Sequence, residues 1–127
     1  VSTYGEGQRG EDIAAVYLRL KGYRILERNY RVPQGEIDLV CRKGDTIIFV
    51  EVKRRKTLSH GSPLEAVTAQ KVSRLSAAAA VYLARHSGET LNARFDVVAL
   101  SPSKNIFGIP RIQHLSNAFS SEEGYNV

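Results

Sequence analysis

The chain has 127 residues, 43% of them hydrophobic and 24% charged, and 18 Lys plus Arg against 13 Asp plus Glu leave a formal charge of +5. That balance belongs to a folded domain with one core, not to a disordered chain. No apolar run approaches the ~18 residues of a membrane-spanning helix, and the lone Cys41 excludes an internal disulfide. The polar, Gly-rich opening does not read as a secretory signal, so a cytoplasmic protein is expected, with no membrane partner. The positive excess allows a polyanionic partner without demanding one.

The first helix is expected to begin near Gln8–Glu11. Ile13, Tyr17 and Leu20 recur at helical spacing, with Ala14 and Val16 beside them, and Gly22 supplies a stop. Tyr23–Val32 reads as a half-exposed strand, and Pro33-Gln34-Gly35 as a turn. Glu36–Arg42 and Thr46–Lys53 read as two further strands, joined at Gly44-Asp45 by a tight hairpin turn. Arg54–Gly61 is polar and reads as a loop. Ser62-Pro63-Leu64-Glu65 has the form of a capping box. The second helix is expected from about Thr68 to His86, with an apolar stripe of Val72, Leu75, Ala79, Tyr82 and Leu83. Arg94–Leu100 is a fourth strand. Ile106–Leu115 is a fifth, weakened by Gly108 and Pro110. The order α-β-β-β-α-β(-β) is that of one mixed α/β domain over residues 1–119, with helices covering a central sheet and a frayed tail over 120–127.

The second hairpin carries the chemistry. With a two-residue turn at 44–45, Lys43 faces Thr46, Val40 faces Phe49 and Asp38 faces Glu51. Two carboxylates then stand opposite one another, with Cβ atoms about 5 Å apart. Lys53 projects from the same face as Glu51. Like charges opposed within apolar strands are destabilising, and a bound divalent cation removes the conflict. A lysine beside such a cation can hold an attacking water or a phosphate oxygen. The bland reading is an Asp38 at a strand edge and an ordinary Glu51–Lys53 ion pair. The opposed Asp38, the apolar flanks and the basic run Lys53-Arg54-Arg55-Lys56 favour the metal reading.

At these residues the sequence resembles a known family. Gly35-Glu36-Ile37-Asp38-Leu39-Val40 and Phe49-Val50-Glu51-Val52-Lys53-Arg54-Arg55 resemble the YraN-like proteins, the UPF0102 group. Gly10-Glu11 with Ala14-Ala15, Arg28-Asn29-Tyr30, Lys71, Arg94-Phe95-Asp96-Val97-Val98 and His114 extend the resemblance over nearly the whole chain. That family is similar to the PD-(D/E)xK nucleases, close in layout to Holliday-junction resolvases, although Ile37 stands where the motif name has Pro. The resemblance implies a restriction-endonuclease-like αβββαβ core and a Mg2+ or Mn2+ site built from Asp38 and Glu51 with Lys53. It adds Glu11 as the helical acid. It further implies metal-dependent cleavage of DNA, branched or otherwise structured DNA among the substrates, and a homodimer as one way of presenting two sites to two strands. The alternatives are a nucleic-acid-binding module without catalysis and an interaction subunit that keeps the fold.

Other candidates weigh less. On residue type alone Glu11 is as well explained by a first-turn acid that stabilises a helix dipole. Arg54, Arg55 and Lys56 would grip flanking phosphates, and Gln70 and Lys71, opening the second helix, are further candidates on that surface. Asp96 is expected to serve as a structural hydrogen-bond acceptor. His60, His86 and His114 lack metal-ligand spacing, and the scattered tyrosines form no base-stacking platform. Gly5-Glu6-Gly7-Gln8-Arg9-Gly10 matches a dinucleotide fingerprint only literally, because no strand precedes it, and reads instead as a flexible arm.

Overall fold

The computed structural model describes residues 3–55, 67–86, 92–103 and 105–119, with only the backbone described for 3–7. Lys56, His60, the capping box at 62–65, Ser87-Gly88 and the tail 120–127 lie outside the described residues. Helix α1 (Thr3–Leu20) leads into strands β1 (Arg24–Val32), β2 (Gly35–Lys43) and β3 (Thr46–Arg54); helix α2 (Ala69–Arg85), β4 (Asn92–Ser101) and β5 (Arg111–Phe119) follow. The strands form one sheet in the order β1-β2-β3-β4-β5. Only β3 and β4 run parallel, joined by the α2 crossover; the other pairs are antiparallel. This is the restriction-endonuclease-like arrangement.

Each face of the sheet is covered by one helix, and strand alternation decides which. On one face Ile47, Phe49, Val40, Phe95 and Val97 pack with Val72, Leu75, Ala78, Ala79 and Tyr82 of α2. On the other, Ile48, Val50, Leu39, Cys41, Val98 and Leu100 pack with Ala14 and Leu18 of α1. Central strands buried on both sides need continuous apolar runs, which is what Ile47–Val50 shows.

Two expectations about α1 are corrected. The helix takes in the glycine-rich segment instead of following a flexible arm. Gly10 has a packing reason: a Cβ there would lie 3.1 Å from Arg54 Cδ and 3.4 Å from Leu100 Cδ1, so its smallness lets helix and sheet approach. The buried face is Ala14, Ala15 and Leu18, while Val16 and Leu20 are exposed. Small residues, not the largest apolar ones, mark the close contact. The helix ends in a Schellman motif, with Tyr23 N donating to Leu18 O and Gly22 N to Arg19 O, around a left-handed Gly22 (φ 89°).

The fifth strand is also displaced. It begins at Arg111, and Ile106–Ile109 form an exposed loop ahead of it. The β2–β3 hairpin matches its expected register, with Lys43 opposite Thr46, Val40 opposite Phe49, and a left-handed Gly44 (φ 61°) in the turn. No helix among the described residues is long and apolar enough to cross a membrane.

Candidate metal centre at the end of the sheet

The paired β2–β3 ladder stops at Leu39–Val50, and Asp38 and Glu51 occupy the next position of the same register. There a side chain takes over from the backbone: Val52 N donates to Asp38 Oδ2 at 2.8 Å. The strands part at this point, and the carboxylate sits in the fork.

The cause lies in the neighbouring strand. Arg28 pairs with Leu39 and Tyr30 with Ile37, so Asn29 falls opposite Asp38. Asn29 is left-handed (φ 52°), a conformation that asparagine tolerates better than β-branched residues. Side-chain alternation slips by one across this position. Leu39 packs on the α1 side and Ile37 on the α2 side, although they are two residues apart. Likewise Arg28 reaches Asp12 of α1 at 2.6 Å, whereas Tyr30 packs edge-on against Tyr82 of α2. The slip falls at the level of the fork, where Glu11 of α1 and Lys71 of α2 reach the same end of the sheet.

Glu51 is buried, 4% exposed. Asp38 is half-buried, and its carboxyl is pushed up to about 7, first by burial and then by the Glu51 carboxylate beside it, with which it also shares a hydrogen bond. Lys71 Nζ, from the first turns of α2, lies 3.4 Å from Glu51 Oε2. It is the nearest cationic partner described for the pair and acts in the opposite sense on Asp38. Lys53 is half-buried on the face it shares with Glu51.

Glu11 lies more than two turns inside α1, roughly eight residues from its start, so the helix-dipole reading fails: that effect is confined to about the first turn. It accepts a hydrogen bond from Asn29 Nδ2 at 2.9 Å, with Arg28 Nη2 at 3.9 Å. Its carboxyl is raised, by burial first; Asn29 lowers it and Asp38 raises it further. Glu11 thus feels Asp38 electrostatically but is tethered to β1. Among the described residues no group of three or more His, Cys, Asp or Glu side chains is set to hold a metal. The pair Asp38–Glu51 is assembled, and Glu11 stands nearby.

The donor chemistry suits a hard cation. Mg2+ takes carboxylate oxygens and waters and commonly uses only one or two protein carboxylates. Two neighbouring carboxylates, of which Asp38 is pushed up to about 7 by burial and by Glu51, are a pair whose repulsion a divalent cation would relieve.

The other candidates are distributed around this centre. Gln70 is exposed in the first turn of α2. The basic run divides: Lys53 is on the α2 side, while the Arg54 stem crosses Gly10 on the α1 side. Arg55 N donates to Leu100 O at 2.7 Å, anchoring the strand end. Asp96 is a hydrogen-bond hub, fully buried. It accepts from Arg94 Nε at 3.0 Å and Asn117 N at 2.9 Å, and His114 Nε2 lies 2.8 Å from its Oδ2. Burial alone would raise its carboxyl, but hydrogen bonds from His114, Arg94 and Asn117 outweigh burial and hold it below the usual range. Burial pushes the Cys41 thiol up to about 12, so it is no nucleophile at neutral pH. Sequence reasoning missed Asn29. Its signal was an asparagine inside a strand, a residue with a reason to be left-handed.

The family described as "Uncharacterised protein family UPF0102" matches residues 10–100, from Gly10 of α1 to Leu100 of β4. A UPF0102 protein of Geobacter sulfurreducens is 49% identical over 116 residues, covering 89% of this chain and 87% of the relative. One from Syntrophomonas wolfei is 48% identical over 113 residues, covering 89% and 96%. One from Syntrophus aciditrophicus is 52% identical over 95 residues, covering 75% of each.

Proposed function

We propose that this chain, which belongs to the uncharacterised family UPF0102, is a metal-dependent endonuclease that hydrolyses phosphodiester bonds in DNA. The observation that carries the reading is the pairing of a half-buried Asp38 with a buried Glu51 at a strand fork, with Lys53 on the Glu51 face. Asp38 and Glu51 would hold Mg2+ or Mn2+, and Glu11 would contribute directly or through water. When bound, such a cation supplies Lewis-acid activation and neutralises charge at the scissile phosphate.

The chain's own residues do the rest. The Val52 amide fixes Asp38 Oδ2 at the fork. Asn29 orients Glu11 by a hydrogen bond to one of its oxygens. Lys53 holds the attacking water or a non-bridging phosphate oxygen and offsets negative charge as it develops. Lys71 balances Glu51 and is free to turn to a phosphate once that carboxylate is otherwise neutralised. Arg54, Arg55 and Lys56 contact flanking phosphates, which gives binding that weakens with salt.

Lys71 also favours the second reading. Its ammonium already brings Glu51 a positive charge, which suits a nucleic-acid-binding module that needs no divalent ion. A cleavage panel on linear and branched DNA separates the two, run with Mg2+ or Mn2+ against chelator and with Asp38→Asn and Glu51→Gln as controls. The nuclease reading expects cleavage by the parent only, with metal only. Salt-sensitive binding without metal-dependent cleavage would leave the binding module. Cleavage by both variants at the parental rate would overturn the site assignment.

A further inference from the structure

The β4–β5 loop displays large apolar side chains to solvent. Ile106 is 92% exposed and Phe107 77%, with Ile109 more than half exposed. The tip is held in one shape by its own hydrogen bonds. Asn105 Oδ1 accepts from Phe107 N at 3.0 Å and Ile109 N at 3.1 Å, and its Nδ2 donates to Ile109 O at 2.6 Å and Ser103 Oγ at 3.0 Å. Gly108 N donates to Asn105 O, and Gly108 is left-handed (φ 67°), closing the turn. One asparagine side chain thus organises the backbone that presents Ile106 and Phe107. A preorganised apolar tip loses little entropy on docking.

Its place in the fold indicates what it meets. β3 and β4 run parallel, with Glu51 beside Val97 and Arg54 beside Leu100. The β4 end therefore lies at the same end of the sheet as the carboxylate fork. Arg55 N donates to Leu100 O, and Arg111 pairs with Ser101, so two arginine positions form a basic rim at the loop base. At ~3.3 Å per residue the tip stands roughly 15–25 Å along the strands from Glu51, some 4–7 base pairs of duplex.

We propose that Ile106 and Phe107 form a wedge that docks against unpaired or unstacked bases of structured DNA while the basic rim holds its phosphates. The inference rests on the nuclease reading above and names its substrate class. Apolar wedges act on DNA in this way, and a phenyl face accepts any base. A second copy of the chain is disfavoured as occupant, because two such tips would bring two basic rims together.

The test uses the full chain, a four-way DNA junction carrying 2-aminopurine at the branch point, and an unbranched duplex of equal length, in Ca2+. Ile106→Ser and Phe107→Ser change exposed side chains, so each should leave the unfolding midpoint within error. The parent is expected to bind the junction more tightly than the duplex and to raise 2-aminopurine fluorescence. Each variant should lose about tenfold in junction affinity, with the fluorescence rise gone and duplex affinity kept within about twofold. Parental junction affinity and fluorescence in both variants would overturn the wedge and leave the nuclease reading standing. A parent that binds neither DNA overturns both. A dimer that Phe107→Ser splits, with the fluorescence response unchanged, would make the tip a self-association surface instead and overturn the wedge.

Discussion

Gly35→Ala probes the seam on which the site depends. A Cβ at Gly35 would lie 2.1 Å from Arg74 O, 2.8 Å from Arg74 C and 3.2 Å from Arg74 Cα. Ordinary contact begins near 3.4 Å, so the helix must retreat by about 1.3 Å. All three atoms are backbone, and no rotamer change can relieve the clash. A gap of 0.5–1 Å already forfeits roughly a quarter to a half of a van der Waals contact. Val72, Leu75 and Ala78 flank Arg74 and are buried against the sheet. Losing about half the contact of Val72 and Leu75, side chains worth about 1.5–3 kcal/mol each, gives a cost of about 1.5–3 kcal/mol. Urea unfolding followed by circular dichroism measures it, with Gly44→Ala as the comparison. Gly44 is left-handed with nothing within 4 Å of its Cβ position, so only backbone strain applies there, about 1 kcal/mol. Gly35→Ala costing no more than Gly44→Ala would refute the reasoning. Because Lys71 lies one turn before Arg74, Gly35→Ala should also loosen the Lys71–Glu51 contact.

Asp38→Asn should stabilise the protein above pH 7, on the order of 2 kcal/mol, while removing function. The folded Asp38 carboxyl is raised to about 7, so the folded state holds that proton more tightly than the unfolded chain, and its stability falls as pH rises from about 4 to 7. Urea midpoints at pH 5 and 8 should differ less in the variant. Asp96 has the opposite sign. Its carboxyl is depressed, so its stabilisation is present above the ordinary carboxylate range and is lost as pH falls through the folded value. Asp96→Ala, which leaves Arg94 and His114 facing an empty centre, should cost about 3–5 kcal/mol and flatten the acid-unfolding limb seen by fluorescence of the tyrosines. Asn29→Gly keeps the left-handed backbone but loses the bond to Glu11, and should weaken Mn2+ binding several-fold with stability changed by under about 1 kcal/mol. Asn29→Val should instead lower the thermal midpoint, because a β-branched residue is strained at that φ.

Much of this was legible where local chemistry leaves one answer. Gly44-Asp45 dictated the turn, the turn set the register, and the register put Asp38 beside Glu51. The α2 stripe followed from its period, and Thr68 caps it by accepting from Lys71 N at 3.2 Å. What was illegible depends on shape. The α1 face is chosen by how near Gly10, Ala14 and Leu18 let it come to the sheet, a packing fact invisible to hydrophobic periodicity. The alternation slip at Asn29 needs two strands to be seen together. The apolar letters of Ile106–Ile109 read as strand because composition does not reveal that one asparagine ties them into an exposed turn.

The Asp38–Glu51 pair is the proposed seat of the divalent cation. Calorimetric titration of Mn2+ into the parent, Asp38→Asn and Glu51→Gln at pH 8 tests it most directly. Saturable binding by the parent that is lost in both variants, each still folded, is the predicted result. No binding by the parent, or equal binding by all three, would contradict it.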